Sequence, residues 1–156
     1  MVGKSGVAEE GGAAAAAAVR RWVEAGGGRL VMDGGLATEL EANGADLNDP
    51  LWSAKCLLSS PHLVRKVHLD YLEAGANIII TASYQATIQG FESKGFSKEQ
   101  SEDLLAKSVE IAREARDMFL KEHSDRPIQH PILVAASIGS YGAYLADGSE
   151  YRYLTT

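Results

Sequence analysis

Three short apolar runs separated by two long amphipathic segments constrain the fold of this chain more than any other feature of its sequence. The runs are RLVMD at residues 29–33, NIIITASY at 77–84 and PILVAASIG at 131–139. Each is too short for a buried helix and is rich in β-branched residues, so each is predicted to be a strand. Strands buried on both faces in this way form parallel sheets.

The two segments between these runs have the spacing of amphipathic helices. In the first, Ser60 is placed to cap a helix that begins at Pro61 and stops at Gly75. In the second, Ser97 and Gln100 form a capping-box pattern ahead of an apolar stripe that runs to about residue 122. The apolar positions of the two stripes are Leu63, Val64, Val67, Tyr71 and Ala74, and then Leu104, Leu105, Ile111, Ala112, Ala115, Met118 and Phe119.

This order of strand, helix, strand, helix and strand predicts an α/β fold with a parallel sheet. It fits a doubly wound sheet or a (β/α)8 barrel of the TIM type, and three strands do not decide between them. A complete barrel typically needs about 250 residues. A chain of 156 residues would therefore hold only the first three or so βα units, and the barrel would be incomplete in this chain.

The N-terminal residues differ in composition from the rest. Residues 1–18, rich in Gly, Ala and Glu, are predicted to be a disordered leader, and residues 19–156 are predicted to form the domain. The alanines favour a short helix over residues 13–25, ended by the glycines that follow. A transit peptide is the alternative for the leader, and Glu9 and Glu10 count against it.

Charge and composition limit the possible binding partners and the cellular compartment of this chain. The net charge of −6 argues against a nucleic-acid or anionic-membrane partner, because neither attracts an acidic surface. No apolar stretch approaches the roughly 20 residues that span a bilayer, and no secretory signal is recognisable. The single cysteine, Cys56, agrees with a cytoplasmic location and cannot build a thiolate metal site alone.

Candidate ligand-binding residues follow the apolar runs, because both architectures bind ligands at the carboxyl ends of their strands. The first run ends at Asp33, and Gly34 and Gly35 after it would let a ligand approach the main chain. A helix N-cap is the alternative role for Asp33. The four histidines lack metal-ligand spacing and are predicted to be structural or solvent-facing, and no nucleotide-binding or hydrolase motif is present.

The second run carries polar residues at alternate positions. Alternation would place Thr81, Ser83 and Gln85 on one face of the strand, with Tyr84 on the other. Since each unsatisfied buried polar group costs roughly 1 to 3 kcal/mol, a polar pocket would explain them. The alternative is that they bond neighbouring main chain. Trp52 is by default a packing aromatic.

Three long segments carry a family resemblance. They are MDGGLATELEANG, DPLWSAKCLLSSPHLVRKVHLDYLEAGANIIITASYQAT and VAASIGSYGAYLADGSEYR, and together they span about residues 20–152. These segments closely resemble the start of homocysteine S-methyltransferases, in particular the plant type that uses S-methylmethionine. The resemblance implies a (β/α)8 barrel in which zinc, held by three cysteine thiolates, binds homocysteine through its sulfur, and a methyl group passes from S-methylmethionine to that thiolate to give methionine.

The resemblance also implies roles for individual residues. Asp33 would take the amino group of homocysteine, and the main chain of Gly34 and Gly35 would lie close to the amino acid, with Trp52 as a wall on the donor side. The implied pocket lining after the second run is Thr81, Ser83, Tyr84 and Gln85. The family's zinc cysteines have no match in this chain, so the resemblance implies zinc for the family and predicts no metal ligand and no catalytic residue here.

Three functions are therefore open. The first is a homocysteine S-methyltransferase of which this chain is the N-terminal part, inactive alone and prone to self-association through open strand edges. The second is a non-catalytic truncated or splice-variant fragment with a binding or regulatory role, or none, because the match breaks at Tyr153 and the chain stops soon after. The third is a different barrel enzyme that uses Asp33 on another amino acid.

Overall fold

A computed structural model describes residues 16–49, 51–125 and 131–139, together with residue 145. Within these residues the elements alternate between helices and short strands. In chain order they are α1 (16–25), α2 (Leu36–Ala42), a 3₁₀ turn (Trp52–Lys55), α3 (Cys56–Ser59), α4 (Pro61–Glu73), β1 (Ile78–Ile80), α5 (Ile88–Glu92), α6 (Lys98–Glu122) and β2 (Leu133–Ala135).

The described sheet is parallel and has β1 at its centre. β1 pairs with β2 in a register that places Ile79 opposite Val134. On its other side β1 meets the first apolar run through a single parallel bridge between Met32 and Ile78. Each segment thus lies beside the next one in sequence and parallel to it, with a helix in each crossover. The α/β class predicted from the sequence is confirmed.

The strands are shorter than predicted. β1 and β2 each keep three residues of their apolar runs, and the run at 29–33 contributes only the bridge at Met32. The alternation predicted for residues 81–85 is wrong, because the chain turns after Ile80. The Ser83 N–H donates to the Thr81 carbonyl oxygen at 2.8 Å, and the Ala86 N–H donates to the Ser83 carbonyl oxygen at 3.2 Å.

The capping and stop residues in the sequence correctly predicted where α4 and α6 begin and end, within a residue or two. Beyond α4, Gly75 has a φ of +100°, a conformation that suits glycine. α6 begins with the predicted capping box, in which Ser97 Oγ accepts from the Gln100 N–H at 3.1 Å and Gln100 Oε1 accepts from the Ser97 N–H at 2.8 Å. Ser60 is the N-cap residue of α4 as predicted, but its side chain does not cap the helix. Ser60 also ends α3, with φ −148° and ψ 52°, and makes no capping hydrogen bond.

Two clusters of apolar side chains form the core beneath the helices. The first lies between the sheet and the two long helices, where Ile79, Leu72 of α4 and Ala112 of α6 are 0–2% exposed. The second joins α2 to α6, and its members include Leu40, Leu57, Val64, Val67, Phe91 and Ile111. Burying a large apolar side chain fully stabilises a fold by ~1.5–3 kcal/mol, so these clusters carry much of the stabilisation.

The N-terminal predictions are described only in part. Residues 16–25 are helical, in agreement with that part of the predicted helix, and Gly27 and Gly28 follow at φ +68° and +89°. Residues 1–15, which make up most of the predicted leader, lie outside the described residues. Among the helices that the structure describes, none has the length and apolar character needed to cross a membrane.

Candidate functional site

Asp33 is held at the end of the first apolar run by the neighbouring strand. Its main-chain N–H donates to the Ile78 carbonyl oxygen at 2.8 Å, and its side-chain Oδ2 accepts from the Ile80 N–H at 2.8 Å. In a parallel ladder the next acceptor for Ile80 would be a main-chain oxygen, so the carboxylate takes the place of a carbonyl. Asp33 does not cap α2, whose N-cap is Gly35 with no side-chain capping bond, and the alternative role as a helix cap is wrong.

The other carboxylate oxygen of Asp33 has a different environment. Asp33 Oδ1 is buried and has no hydrogen-bond partner among the described residues. Burial raises the pKa of Asp33 above its usual 3.8, and the hydrogen bond from the Ile80 N–H opposes that rise. A buried acceptor without a partner is costly, and an ammonium group that donates to it would remove the cost.

The two glycines after Asp33 have different surroundings. A Cβ added to Gly34 would lie 2.9 Å from Tyr71 Oη and 3.1 Å from Tyr71 Cε1, whereas one added to Gly35 would first meet Thr38 Oγ1 at 3.4 Å. Tyr71 Oη also donates to the Gly35 carbonyl oxygen at 3.3 Å. A larger residue at position 34 would therefore displace the side chain of Tyr71. Both glycines are solvent-exposed, which leaves their main chain open to a ligand.

Thr81 and Ser83 connect the end of β1 to the segment after β2. Thr81 Oγ1 accepts from the Ser137 N–H at 2.9 Å, and Ser83 Oγ donates to the Ser137 carbonyl oxygen at 2.8 Å. The two hydroxyl oxygens lie 2.7 Å apart. Since Ser83 has already used its hydrogen, Thr81 is the donor between them. Both hydroxyl donors are thus spent within the protein, which favours the alternative that these residues bond neighbouring main chain.

Gln85 and Tyr84 are placed apart from that pair. Gln85 Oε1 accepts from the Ser53 N–H at 3.3 Å and from Ser53 Oγ at 3.1 Å, and so ties the 3₁₀ turn to the segment after β1. Tyr84 is 43% exposed. The side chain of Trp52 lies outside what the structure describes. The predicted lining residues therefore bond to different parts of the protein. Among these residues, only Asp33 has a buried acceptor without a partner in the described part of the chain.

Sequence reasoning missed the residues that hold this site from a distance. Asn77 Oδ1 accepts from the Val31 N–H at 3.0 Å. Together with the bond from the Ile80 N–H to Asp33 Oδ2, it extends the pairing between the first run and β1 at both ends. Ser53 and Tyr71 are further examples. The one available signal was the polar residue Asn77 directly before an apolar run.

The described residues do not fit the zinc site that the resemblance implies. They contain no group of three or more His, Cys, Asp or Glu side chains able to hold a metal ion. Cys56, the single cysteine of the sequence, is buried, and burial raises the pKa of its thiol. His68 is buried without a partner for either ring nitrogen among the described residues, and burial lowers its pKa to about 4, so it is neutral at pH 7.

Known proteins share both the sequence and the fold of this chain. Homocysteine S-methyltransferase 2 of Zea mays is 82% identical over 153 residues, which are 97% of this chain and 43% of the relative. Selenocysteine Se-methyltransferase of Brassica oleracea var. italica is 71% identical over 130 residues, 80% of this chain and 38% of the relative. The metallated form of the homocysteine methyltransferase MmuM from Escherichia coli superposes with a TM-score of 0.71 at 54% identity, over 81% of this chain and 44% of that one.

These matches cover most of this chain and less than half of each relative. The chain spans about two fifths of the length of the curated relatives it matches. The family model for homocysteine S-methyltransferase matches residues 30–156. The chain therefore belongs to the homocysteine S-methyltransferase family.

Proposed function

We propose that this chain supplies the amino-acid-binding part of a homocysteine S-methyltransferase, with S-methylmethionine as the methyl donor. The observation that carries the proposal is the carboxylate of Asp33, which has one oxygen held by the Ile80 N–H and the other buried without a partner among the described residues. The names of its close relatives support homocysteine as the acceptor. The match to the family model over residues 30–156 supports the same activity.

The βα units of this chain are proposed to be the first three of a (β/α)8 barrel. The likeness to the Escherichia coli structure supports this, as does the packing of α4 and α6 against the same face of the sheet, at Ile79. In a barrel the opposite face of the sheet lines the interior, and ligands bind at the carboxyl ends of the strands. Asp33 stands at such an end.

The proposed chemistry of the described site is recognition of an amino acid. The ammonium group of homocysteine would donate to Asp33 Oδ1, forming a charge-assisted hydrogen bond. The main chain of Gly34 and Gly35 would lie beside the amino acid, and Tyr84, with its partly exposed ring, would form part of the wall. Thr81, Ser83 and Gln85 would act less directly, by holding the segments that surround the ligand.

A selenium-containing acceptor is a second candidate substrate. A selenocysteine methyltransferase is 71% identical to this chain over 130 residues. Homocysteine and selenocysteine present the same ammonium group, so the carboxylate of Asp33 would bind both and would not discriminate between them. Selection between a thiol and a selenol would have to come from residues near the reacting atom.

The activation of the acceptor thiol is proposed to need groups that this chain does not provide. A site of three cysteine thiolates cannot be built from a sequence with one cysteine. We therefore expect the chain alone to show no methyl transfer from S-methylmethionine to homocysteine. A non-catalytic binding or regulatory role is the alternative, and it would keep the amino-acid site.

Self-association in the cytoplasm is the proposed state of the isolated chain. Apolar side chains on the first run and after β2 are exposed, with Val31 at 53%, Met32 at 56% and Ile138 at 91%. The edge strands of an incomplete barrel also offer unpaired main-chain groups, which favour pairing with another copy. Light scattering after size-exclusion chromatography would detect this association.

The test of the acceptor site uses a chimera in which residues 30–135 of this chain replace the matching segment of the maize relative. Asp33→Asn keeps an acceptor for the Ile80 N–H and removes the charge. We expect the homocysteine KM to rise roughly ten- to hundredfold, since a hydrogen bond to a charged group is worth about 1.5–3 kcal/mol. Asp33→Ala should raise the KM further.

The control is Asp117→Asn on α6, which also removes a carboxylate but at an exposed position. It should leave the KM unchanged. An unchanged homocysteine KM in both Asp33 variants would contradict the proposed role of Asp33.

A further inference from the structure

We propose that Tyr71 positions the main chain of residues 33–35 for amino-acid binding, acting from the helix layer behind the site. This inference rests on the proposed function, because it assigns Tyr71 to the same amino-acid site. Sequence analysis placed Tyr71 only in the apolar stripe of a helix. The structure gives it two contacts with the glycine segment that a packing residue would not need.

The first contact is the fit between the Tyr71 ring and Gly34. A Cβ at Gly34 would lie 2.9 Å from the phenol oxygen, 3.1 Å from Cε1 and 3.3 Å from Cζ. At these distances a side chain at residue 34 would force the Tyr71 ring to shift, so glycine at this position allows the ring to lie against the main chain. The flat ring thus limits how far the segment can move towards α4.

The second contact is a hydrogen bond. Tyr71 Oη donates to the Gly35 carbonyl oxygen at 3.3 Å, across 36 positions of sequence. Burial raises the pKa of the Tyr71 phenol, and the charges of Glu39 and Asp33 raise it further. The phenol therefore stays protonated at neutral pH and remains a donor.

Tyr71 acts through the main chain and not on the ligand. The two contacts of Tyr71 are with the main chain of Gly34 and Gly35, directly after Asp33. Together with the bonds at Val31 and Ile80, Tyr71 fixes where Asp33 Oδ1 lies. A shift of about 1 Å in a positioning element can weaken a site strongly.

The experiment uses the same chimera with Tyr71→Phe, Gly34→Ala and the double variant Gly34→Ala/Tyr71→Leu. Tyr71→Phe keeps the ring and loses a hydrogen bond worth about 0.5–1.5 kcal/mol, so the homocysteine KM should rise roughly two- to tenfold with kcat nearly unchanged. Gly34→Ala should raise the KM more. The double variant should recover part of that loss, because the smaller leucine makes room for the new Cβ.

The control is Phe119→Leu, which shortens a side chain of the same helix layer. Phe119 packs against the cluster between the sheet and the two long helices. The variant should lower the melting temperature and leave the homocysteine KM unchanged. If Tyr71 has only a structural role, Tyr71→Phe should likewise lower the melting temperature and leave the homocysteine KM unchanged. That result would overturn the inference. Equal KM values in Gly34→Ala and in its double variant would also overturn it.

Asp33→Asn separates this inference from the proposed function. If Asp33→Asn raises the KM and Tyr71→Phe does not, the positioning role of Tyr71 is wrong and the acceptor site stands. If neither variant changes the KM, both proposals fail.

Discussion

The centre of the small sheet and its edge at the first apolar run differ in how their side chains are covered. On the face towards the helices, Ile79 packs with Leu72 and Ala112, and all three are 0–2% exposed. Along the first run, at the edge of the same sheet, Val31 and Met32 are more than half exposed. The polar groups that hold the first run and the site belong to this less covered part, at Asp33 and Asn77.

The contrast separates the source of stability from the source of the proposed amino-acid binding. The helix layer is held by burial, which is non-directional and depends on the apolar area removed from water. The site depends on a few hydrogen bonds whose geometry is specific. Substitutions on the two sides should therefore differ both in size and in kind.

The largest expected difference is in the free energy of unfolding. Leu72→Ala removes a fully buried side chain from the helix layer and should lower the free energy of unfolding by about 2–5 kcal/mol. Met32→Ala shortens a side chain that is 56% exposed and should change it by less than about 1 kcal/mol. Chemical denaturation of the two variants measures both values. Equal losses would show that the two residues are covered alike.

His68 should make the helix layer sensitive to acid. The pKa of His68 is lowered to about 4 in the folded protein, against 6.5 for a free histidine. Between these values the unfolded chain binds a proton that the folded chain does not, so stability falls as the pH drops from 6.5 towards 4. The full loss is about 3 kcal/mol. His68→Leu should flatten this part of the stability curve, and an unchanged slope would mean that the imidazole is solvated.

Thr81→Val tests whether the polar residues after β1 are structural. The variant removes the hydroxyl that accepts the Ser137 N–H and keeps the shape of the side chain. The orphaned N–H should cost about 1–3 kcal/mol in the free energy of unfolding. Thr38→Val, at an exposed position of α2, is the matched control and should cost little. A rise in homocysteine KM in the chimera without loss of stability would instead assign Thr81 to the ligand.

The contribution of Asp33 to the free energy of unfolding should depend on pH in the direction opposite to that of His68, and this effect should be the smallest of the four. Its pKa is raised in the folded protein, chiefly by burial. Its contribution to stability is therefore fully present below pH 3.8, the unfolded value, and is lost as the pH rises through the folded pKa. Asp33→Asn should remove this loss and leave the chain at least as stable at pH 7. A clear destabilisation at pH 7 would mean that the charge itself holds the fold.

The long helices could be predicted from the sequence because their signals are local. Pro61, Gly75 and the Ser97–Gln100 pair mark ends that the structure reproduces within a residue or two. The pattern failed where a polar side chain bonds its own helix. Ser101 and Ser108 are fully buried in α6 because they donate to the carbonyl oxygens of Ser97 and Leu105. A hydrophobic stripe does not reveal such positions.

The site was predictable only in the residues that end an apolar run. Asp33 and Gly34 could be selected because an acid and a glycine directly follow an apolar run. Their partners could not, since Asn77 lies 46 positions from Val31 and Tyr71 lies 36 from Gly35. Gln85 was predicted to line a pocket, and its bond to Ser53 crosses 32 positions. Contacts of this kind are set by the fold and leave no pattern in the sequence.

The carboxylate of Asp33 also fixes the register of the chain at the mouth of the site. It occupies the place of a main-chain oxygen in the ladder, so the first strand cannot pair further along β1. Inserting one residue between Met32 and Asp33, or deleting Met32, would shift the acid by one position and turn its side chain to the opposite side of the run. The number of residues in this run therefore matters as much as the acid that ends it, because both are needed to bring the carboxylate to the Ile80 N–H.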